Sequence, residues 1–373
     1  MKLSYWEIKS WLTDIDFAII GSGIVGLSCA IHLRELHPKA KIVVFERGQL
    51  PQGASTKNAG FACFGSVSEI LDDLNHHSER DVVDLVKQRI RGLSHLRTLI
   101  SDKDLGFKQW GGYELFLNAN ADTFDLCTEK MTYVNALLSE VFPEKIFHKR
   151  KNTFGYIGIH DELIFNQYEG QIDTGKMMQH LLLLAQRKGV LILNSVTLES
   201  YEQIGHKVQL QFDAFQTSCS KMLLATNGFS SAMIEEDVTP NRAQVLITAP
   251  IPNLAIQGTF HMDRGYYYFR NIDNRILLGG GRNLAIEEEK TTSFALNEKI
   301  QEELERLLRE TILPQKAIKI DHRWTGILGL GKKKTSLIKQ LSERVYCGVR
   351  LGGMGVAIGC DVGVQLAQLT KTQ

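Results

Sequence analysis

The string Gly21-Ser22-Gly23-Ile24-Val25-Gly26 stands between the apolar run 17–20 and a stretch with helical spacing. In a strand–turn–helix of this kind the first glycine makes the tight bend and the second lets backbone approach a phosphate. The third lets the helix pack closely on the strand. A diphosphate then sits on the helix N-terminus, where unpaired N–H groups and the helix dipole favour anions. Any glycine-rich loop can match the spacing, so its weight comes from its neighbours. Residues 27–37 carry Leu27, Ala30, Ile31 and Leu33 on one packing face, and Pro38 stops that helix. A second strand over 41–45 ends in Glu46. An acidic residue at that strand tip, about twenty residues on, accepts hydrogen bonds from an adenosine ribose. The expected ligand therefore contains ADP, with FAD and NAD as candidates. Glu46 disfavours NADP, whose 2′-phosphate would meet a carboxylate.

At 373 residues the chain is longer than the roughly 250–300 at which a single core stops growing, so two domains are expected. The 43% hydrophobic composition supports a real core, and the net charge of +1 leaves only short basic clusters at 149–151 and 332–334. Nucleic acid is disfavoured as a partner, because phosphate binding needs several clustered cations. The six cysteines show no CxxC spacing and read as buried free thiols of a reducing compartment. No apolar run approaches the roughly twenty residues of a membrane span, and the N-terminus lacks an apolar signal core. Cytoplasm is the expected location. The eleven histidines form no HExxH or His-x-x-x-His pair, so no metal site is expected.

Beyond the opening unit, small residues over 53–66 form a loop, and Val82, Val86, Ile90, Leu93 and Ile100 keep helical spacing. A strand is expected near 112–118, and a helix capped by Asp173 or Thr174 and closed by Gly189. Strands follow near 190–193, 196–198 and 221–225, the last ending in Thr226-Asn227-Gly228, a second strand-to-glycine turn. Over 241–282 the pattern becomes strands with turns, at 243–248, 265–270 and 275–280, which predicts an antiparallel sheet. Thr292 or Ser293 is expected to cap a helix running to Leu313 and ended by Pro314. A strand near 344–347, a glycine cluster over 348–359 and a final helix close the chain.

The chain resembles the FAD-dependent amino-acid and amine oxidoreductases that include D-amino-acid oxidase, glycine oxidase and sarcosine oxidase. The resemblance rests on GSGIVGLSCA with Glu46-Arg47, then Ser55-Thr56-Lys57-Asn58-Ala59-Gly60, then Gly170-Gln171-Ile172-Asp173. It continues through Leu223-Leu224-Ala225-Thr226-Asn227-Gly228, Gly265-Tyr266-Tyr267-Tyr268-Phe269-Arg270, Arg323-Trp324-Thr325-Gly326 and Gly352-Gly353-Met354-Gly355. It implies an α/β Rossmann-type FAD-binding domain over 14–105, 166–235 and 320–373. A mostly antiparallel α+β substrate domain would be inserted over 106–165 and 236–319. Implied cofactor contacts are Gly21, Gly23, Ile24, Val25, Gly26, Glu46, Arg47, Ser55, Thr56, Asn58, Ala59, Gly60, Val196, Thr226, Gly228, Gly353, Met354 and Gly355. The sequence departs from the family in two places. Sarcosine-oxidase-like members attach flavin through a cysteine in the segment after Arg-Trp, whereas 324–336 contains none, so FAD is expected to bind non-covalently. Glycine-oxidase-like members carry an arginine shortly after Trp-x-Gly, where this chain has Leu328 or Gly329, which argues against a simple glycine-like substrate.

Flavin oxidation of an amine needs positioning and desolvation more than acid–base help. The expected site is an aromatic-walled pocket with one anchoring charge. Tyr266 and Tyr268 alternate on one strand and share a face, while Tyr267 points the other way; a flavin-facing role and plain core packing are both open for them. Arg350 is the expected grip on a substrate carboxylate, a structural salt bridge being the alternative, and Arg282 is the second candidate. The expected partners are a small amine or amino acid and an electron acceptor, oxygen or another. A 2-hydroxy-acid dehydrogenase and a flavin-binding protein without turnover are the competing readings, and a tRNA-modifying enzyme is disfavoured by the missing basic surface.

Overall fold

The computed structural model describes residues 3–314 and 317–371, and two sheets organise it. In the first, Ile15–Ile20 lies between Gln216–Leu224 and Ile42–Phe45, both parallel to it. Leu191–Leu193 extends one side and Val345–Val349 the other, again parallel. Ile15–Ile20, Ile42–Phe45 and Val345–Val349 are buried on both faces, which is why they read as continuous apolar runs and not as alternating ones. Helix Ile24–Leu36 is covered by the last helix, Gly355–Gln368. The two approach closely because Gly363 faces the first helix: a Cβ there would stand 2.7 Å from the Val25 carbonyl oxygen.

The second sheet has eight strands, antiparallel except where Thr259–Met262 runs parallel to Gly112–Leu115. One face buries Phe260, Phe269, Ile276 and Leu278 against helix Glu298–Leu307. The other carries Val245, Leu277 and Tyr268, packed with Ala59 and Trp324. Tyr267 lies in the core on the helix side and Tyr268 on the opposite face, as strand geometry requires. Tyr266, however, stands in the turn before strand Tyr267–Ile272 and packs against the same core as Tyr267, so the expected sharing of a strand face with Tyr268 is corrected. The mixed α/β architecture with a mostly antiparallel second domain is as the sequence predicts.

Three local expectations are corrected. Strand Ile320–Leu330 pairs with Thr239–Thr248 from Thr239 opposite Leu330 to Thr248 opposite Ile320, so it belongs to the second sheet and not to the nucleotide domain. The helix expected from Thr292 or Ser293 begins at Glu298, capped by the Asn297 side chain. The preceding segment stays non-helical and docks on the sheet, where the Phe294 carbonyl accepts a hydrogen bond from Thr325. Val196 is not in a strand; its N–H donates to the Glu46 carbonyl at 3.1 Å.

Candidate active site

The opening turn is built by close approach. Gly21 has φ +104°, and a Cβ at Gly26 would lie 1.9 Å from the Gly21 carbonyl oxygen, so helix and turn touch backbone to backbone. Ser55 Oγ accepts the Ile24 N–H at 3.0 Å, which places the loop after the second strand on the helix N-terminus. Glu46 is buried and ties three backbone segments together. Its Oε2 accepts from the Ser22 N–H at 3.0 Å and hydroxyl at 2.9 Å, and its Oε1 from the Gly48 N–H at 3.0 Å.

One continuous cavity runs from this turn to the second sheet. Gly21, Gly23, Ile24, Val25, Glu46, Arg47, Ser55, Asn58, Ala59, Gly60, Val196 and Thr226 line it. So do Gly353, Met354 and Gly355, where the last helix points its N-terminus into the space. Two features fit a dinucleotide. The Thr226 hydroxyl is buried without a hydrogen-bond partner, and the glycine turns leave backbone exposed where a Cβ would intrude. Arg47 lies over the Phe229 ring, 3.7 Å from its centroid, and forms a planar wall beside Glu46.

Four expected site residues stand outside the cavity lining. Gly26 acts through packing, as described. Thr56 donates to the Pro51 carbonyl at 2.6 Å and so braces its own loop. Gly228 lets its turn press on strand Ile320–Leu330, where a Cβ would stand 2.3 Å from the Leu328 carbonyl oxygen. Arg350 is corrected from substrate anchor to structural tie. Its Nε donates to the Thr335 carbonyl at 3.0 Å, and its Nη1 to the Asp237 carbonyl at 3.0 Å and carboxylate at 3.3 Å. Its backbone is in the left-handed region, φ +62°.

The other end of the cavity is aromatic. Tyr266, Tyr268 and Arg282 line it, with the Arg282 guanidinium 5.7 Å from the Tyr266 ring centroid. Tyr268 is paired across the sheet with His261, and the Phe61 ring packs edge-on against both. Burial pushes the Tyr268 phenol up to about 12, so it stays neutral. Leu328 also lines the cavity. Sequence reading missed Lys57, Phe61, Cys63, Glu69 and His261, all in the wall. The spacing of Ser66 and Glu69 is a legible capping box, but it accounts for Glu69 without any site. His261 arrives through sheet register, which leaves no local signal. Although no metal site was expected, the fold gathers Cys63, Glu169 and His261, with donor atoms within 4.8 Å of one another. The bond of 2.9 Å between His261 Nε2 and Glu169 already pairs two of the three.

Comparison with known proteins agrees with this geometry. A family model described as FAD dependent oxidoreductase matches residues 16–369. The gamma-glutamylputrescine oxidoreductase of Escherichia coli (strain K12) is 25% identical, over 95% of this chain and 83% of its own length. Among solved structures, glycine oxidase from Geobacillus kaustophilus is similar with a TM-score of 0.74 at 15% identity, covering 96% of this chain and 95% of that one. Iminodiacetate oxidase from Chelativorans sp. BNC1 has a TM-score of 0.73 at 15% identity, with 96% and 95% covered. Such structural likeness shows the fold, and the family match over nearly the whole length shows the membership. The chain belongs to the FAD dependent oxidoreductase family and is an FAD-dependent enzyme.

Proposed function

We infer that the enzyme removes a hydride from the CH–NH bond of an amino acid or related amine, giving an imine that hydrolyses in water. The observation that carries this reading is one cavity that joins the glycine turns to a wall of Tyr266, Tyr268, Phe61 and Arg282. The names of the relatives, an oxidoreductase of gamma-glutamylputrescine and oxidases of glycine and iminodiacetate, all denote nitrogen compounds. Bound FAD supplies the hydride acceptor. The aromatic walls exclude water and hold the reacting C–H in place at a near-attack distance of about 3–3.5 Å. Arg282 is the candidate grip for a carboxylate. Non-covalent binding is supported by the thiol available: Cys63 lines the cavity, but burial and the nearby Glu169 and Glu69 raise its pKa well above the ordinary range, which makes it a poor nucleophile. The six buried free cysteines suit a reducing cytoplasm.

The test is anaerobic bleaching of the bound flavin by a panel of amines, amino acids and 2-hydroxy acids. Bleaching by nitrogen compounds alone is the expected result, and bleaching by hydroxy acids alone overturns the reading. If dithionite bleaches the flavin and no substrate does, turnover itself is in question. Admitting oxygen afterwards times reoxidation and separates an oxidase from a dehydrogenase with another acceptor. Acid precipitation should leave the yellow colour in the supernatant; colour retained in the pellet refutes non-covalent binding.

Glu46→Ala tests the ribose-side wall. The variant loses the acceptor for three backbone N–H groups, those of Ser22, Gly48 and Gln52, and for the Ser22 hydroxyl, each stranded donor costing about 1–3 kcal/mol. Loss of yellow colour on dialysis is the expected outcome, and full FAD occupancy would count against the role.

A further inference from the structure

One stretch of the cavity wall carries charge that hydride transfer does not use. Glu69, His261 and Gly265 lie side by side in the lining. Glu69 Oε2 accepts the Ser66 N–H at 2.9 Å, closing the capping box of helix Val67–Leu74, while its Oε1 makes no hydrogen bond among the described residues. Gly265, with φ +77°, leaves that oxygen room: a Cβ there would stand 2.6 Å from Oε1. His261 is 5% exposed, and its Nε2 bonds Glu169 at 2.9 Å. Its Nδ1 has no hydrogen-bond partner among the described residues, the nearest acid being Glu69 Oε2 at 3.9 Å.

Burial works against a charged His261, but Glu169, Glu69 and Glu114 outweigh it and raise the imidazole to about 9, so Nδ1 carries a proton at neutral pH. Glu169, Glu69 and Glu114 thus surround this imidazolium, the Glu114 carboxyl itself being pushed up to about 7 by burial, and the Arg89 guanidinium nearby donates from Nη1 to the Phe64 carbonyl at 2.6 Å. The wall presents a carboxylate oxygen without a hydrogen bond, Glu69 Oε1, next to an imidazole N–H that meets the same carboxylate only as a loose ion pair at 3.9 Å. The group with the complementary pair on one carbon is the zwitterionic head of an amino acid, its ammonium toward Glu69 and its carboxylate toward His261 Nδ1–H.

We propose that Glu69 and His261 form a recognition subsite for an intact amino-acid head group, and that the nitrogen oxidised at the flavin is a second one elsewhere in the substrate. The second half follows from charge. An amine must be neutral to release hydride from its α-carbon, whereas an ammonium paired with a carboxylate in the cavity wall is kept protonated. The head group is therefore bound and spared. The substrate class is a diamino acid or an ω-amine derivative of an amino acid. This rests on the amine-oxidising reading above and narrows it.

The probes are norvaline, valerate, pentylamine and ornithine, the last being norvaline with a second nitrogen. Calorimetric titration of wild-type holoenzyme should find norvaline binding at least tenfold tighter than valerate or pentylamine, and anaerobic norvaline should leave the flavin yellow while ornithine or its N-ω-alkyl derivatives bleach it. Glu69→Gln keeps the capping box, which accepts glutamine at that position. It should weaken norvaline binding by about ten- to a hundredfold, the loss of one charge-assisted hydrogen bond, with valerate binding and FAD content unchanged. Bleaching by norvaline, or equal norvaline affinity in Glu69→Gln, overturns the proposal, as does a wild-type preference for valerate or pentylamine. If no amine bleaches the flavin, the amine-oxidising reading fails, yet the norvaline titration still decides the subsite.

Discussion

Gly26→Ala is expected to abolish FAD retention and to lower stability by about 1–3 kcal/mol or more, the range for forcing atoms into a packed interior. The methyl group would enter 1.9 Å from the Gly21 carbonyl oxygen and 3.3 Å from Ile19 Cγ2. Neither neighbour is a flexible side-chain end. One is backbone of the turn, and the other belongs to the central strand, where Ile19 is fully buried. Helix Ile24–Leu36 must therefore lift off the sheet, and its N-terminus moves away from the place where a diphosphate would sit. Urea unfolding and flavin absorbance after dialysis measure the two effects. Gly53→Ala is the control, since nothing lies within 4 Å of its Cβ position and its φ is −73°. Normal flavin content with an unchanged unfolding midpoint in Gly26→Ala would show that the turn can relax and that packing does not require glycine there.

Glu289→Ala carries the other large effect, a destabilisation of about 3–5 kcal/mol, because it strands a buried arginine. Glu289 is fully buried and holds Arg242 in a fork, Nε to Oε2 at 2.8 Å and Nη2 to Oε1 at 2.7 Å. Gln244 and Asn297 also donate to it. The effect reaches the site, since Ala243 and Val245 on the same strand, and Thr292 beside the pair, line the cavity. Removing both partners should cost less than the sum of the single changes. Burial alone would raise the Glu289 carboxyl, but the bonds from Arg242 and Gln244 prevail and hold it below the ordinary range. A carboxyl lowered in the folded state adds stability that is present above its unfolded pKa and lost as pH falls through the folded one. The wild type should thus lose stability below about pH 4.5 more steeply than Glu289→Gln. Chemical unfolding across pH 3–7 checks both the size and the slope, and identical profiles would remove the pair from the account.

Parts of the molecule that depend on short-range contacts were legible in the chain. The strand, glycine turn and helix at 15–36 are bound to one another by contacts a few residues apart, and the opposite facing of Tyr267 and Tyr268 follows from strand geometry alone, whereas Tyr266 falls in the preceding turn. Arg350 shows where such reading stops. An arginine beside a glycine cluster is chemically suited to a carboxylate, but its left-handed backbone and the approach of Asp237 and Thr335 were decided by segments far away in sequence. Strand Ile320–Leu330 joined the wrong domain for a similar reason: sequence neighbours pointed to the last helix, while its partner is Thr239–Thr248. His261 had no motif around it, and became a wall residue because register sets it opposite Tyr268 and Phe61 packs on both.

By itself the sequence determined the nucleotide-binding half of this enzyme, because a phosphate cradle needs glycine at set positions and those positions are local. The tertiary structure decided the half that meets the substrate. Its wall is assembled from the short strand Phe61–Ala62 with Cys63, helix residue Glu69, strand residues His261 and Tyr268, and Arg282, which come together only when two sheets close over one cavity. A charge such as Glu69 acquires its chemical meaning from what that closure places beside it, an unbonded imidazole nitrogen and a glycine without a side chain, and no spacing along the chain encodes such an encounter.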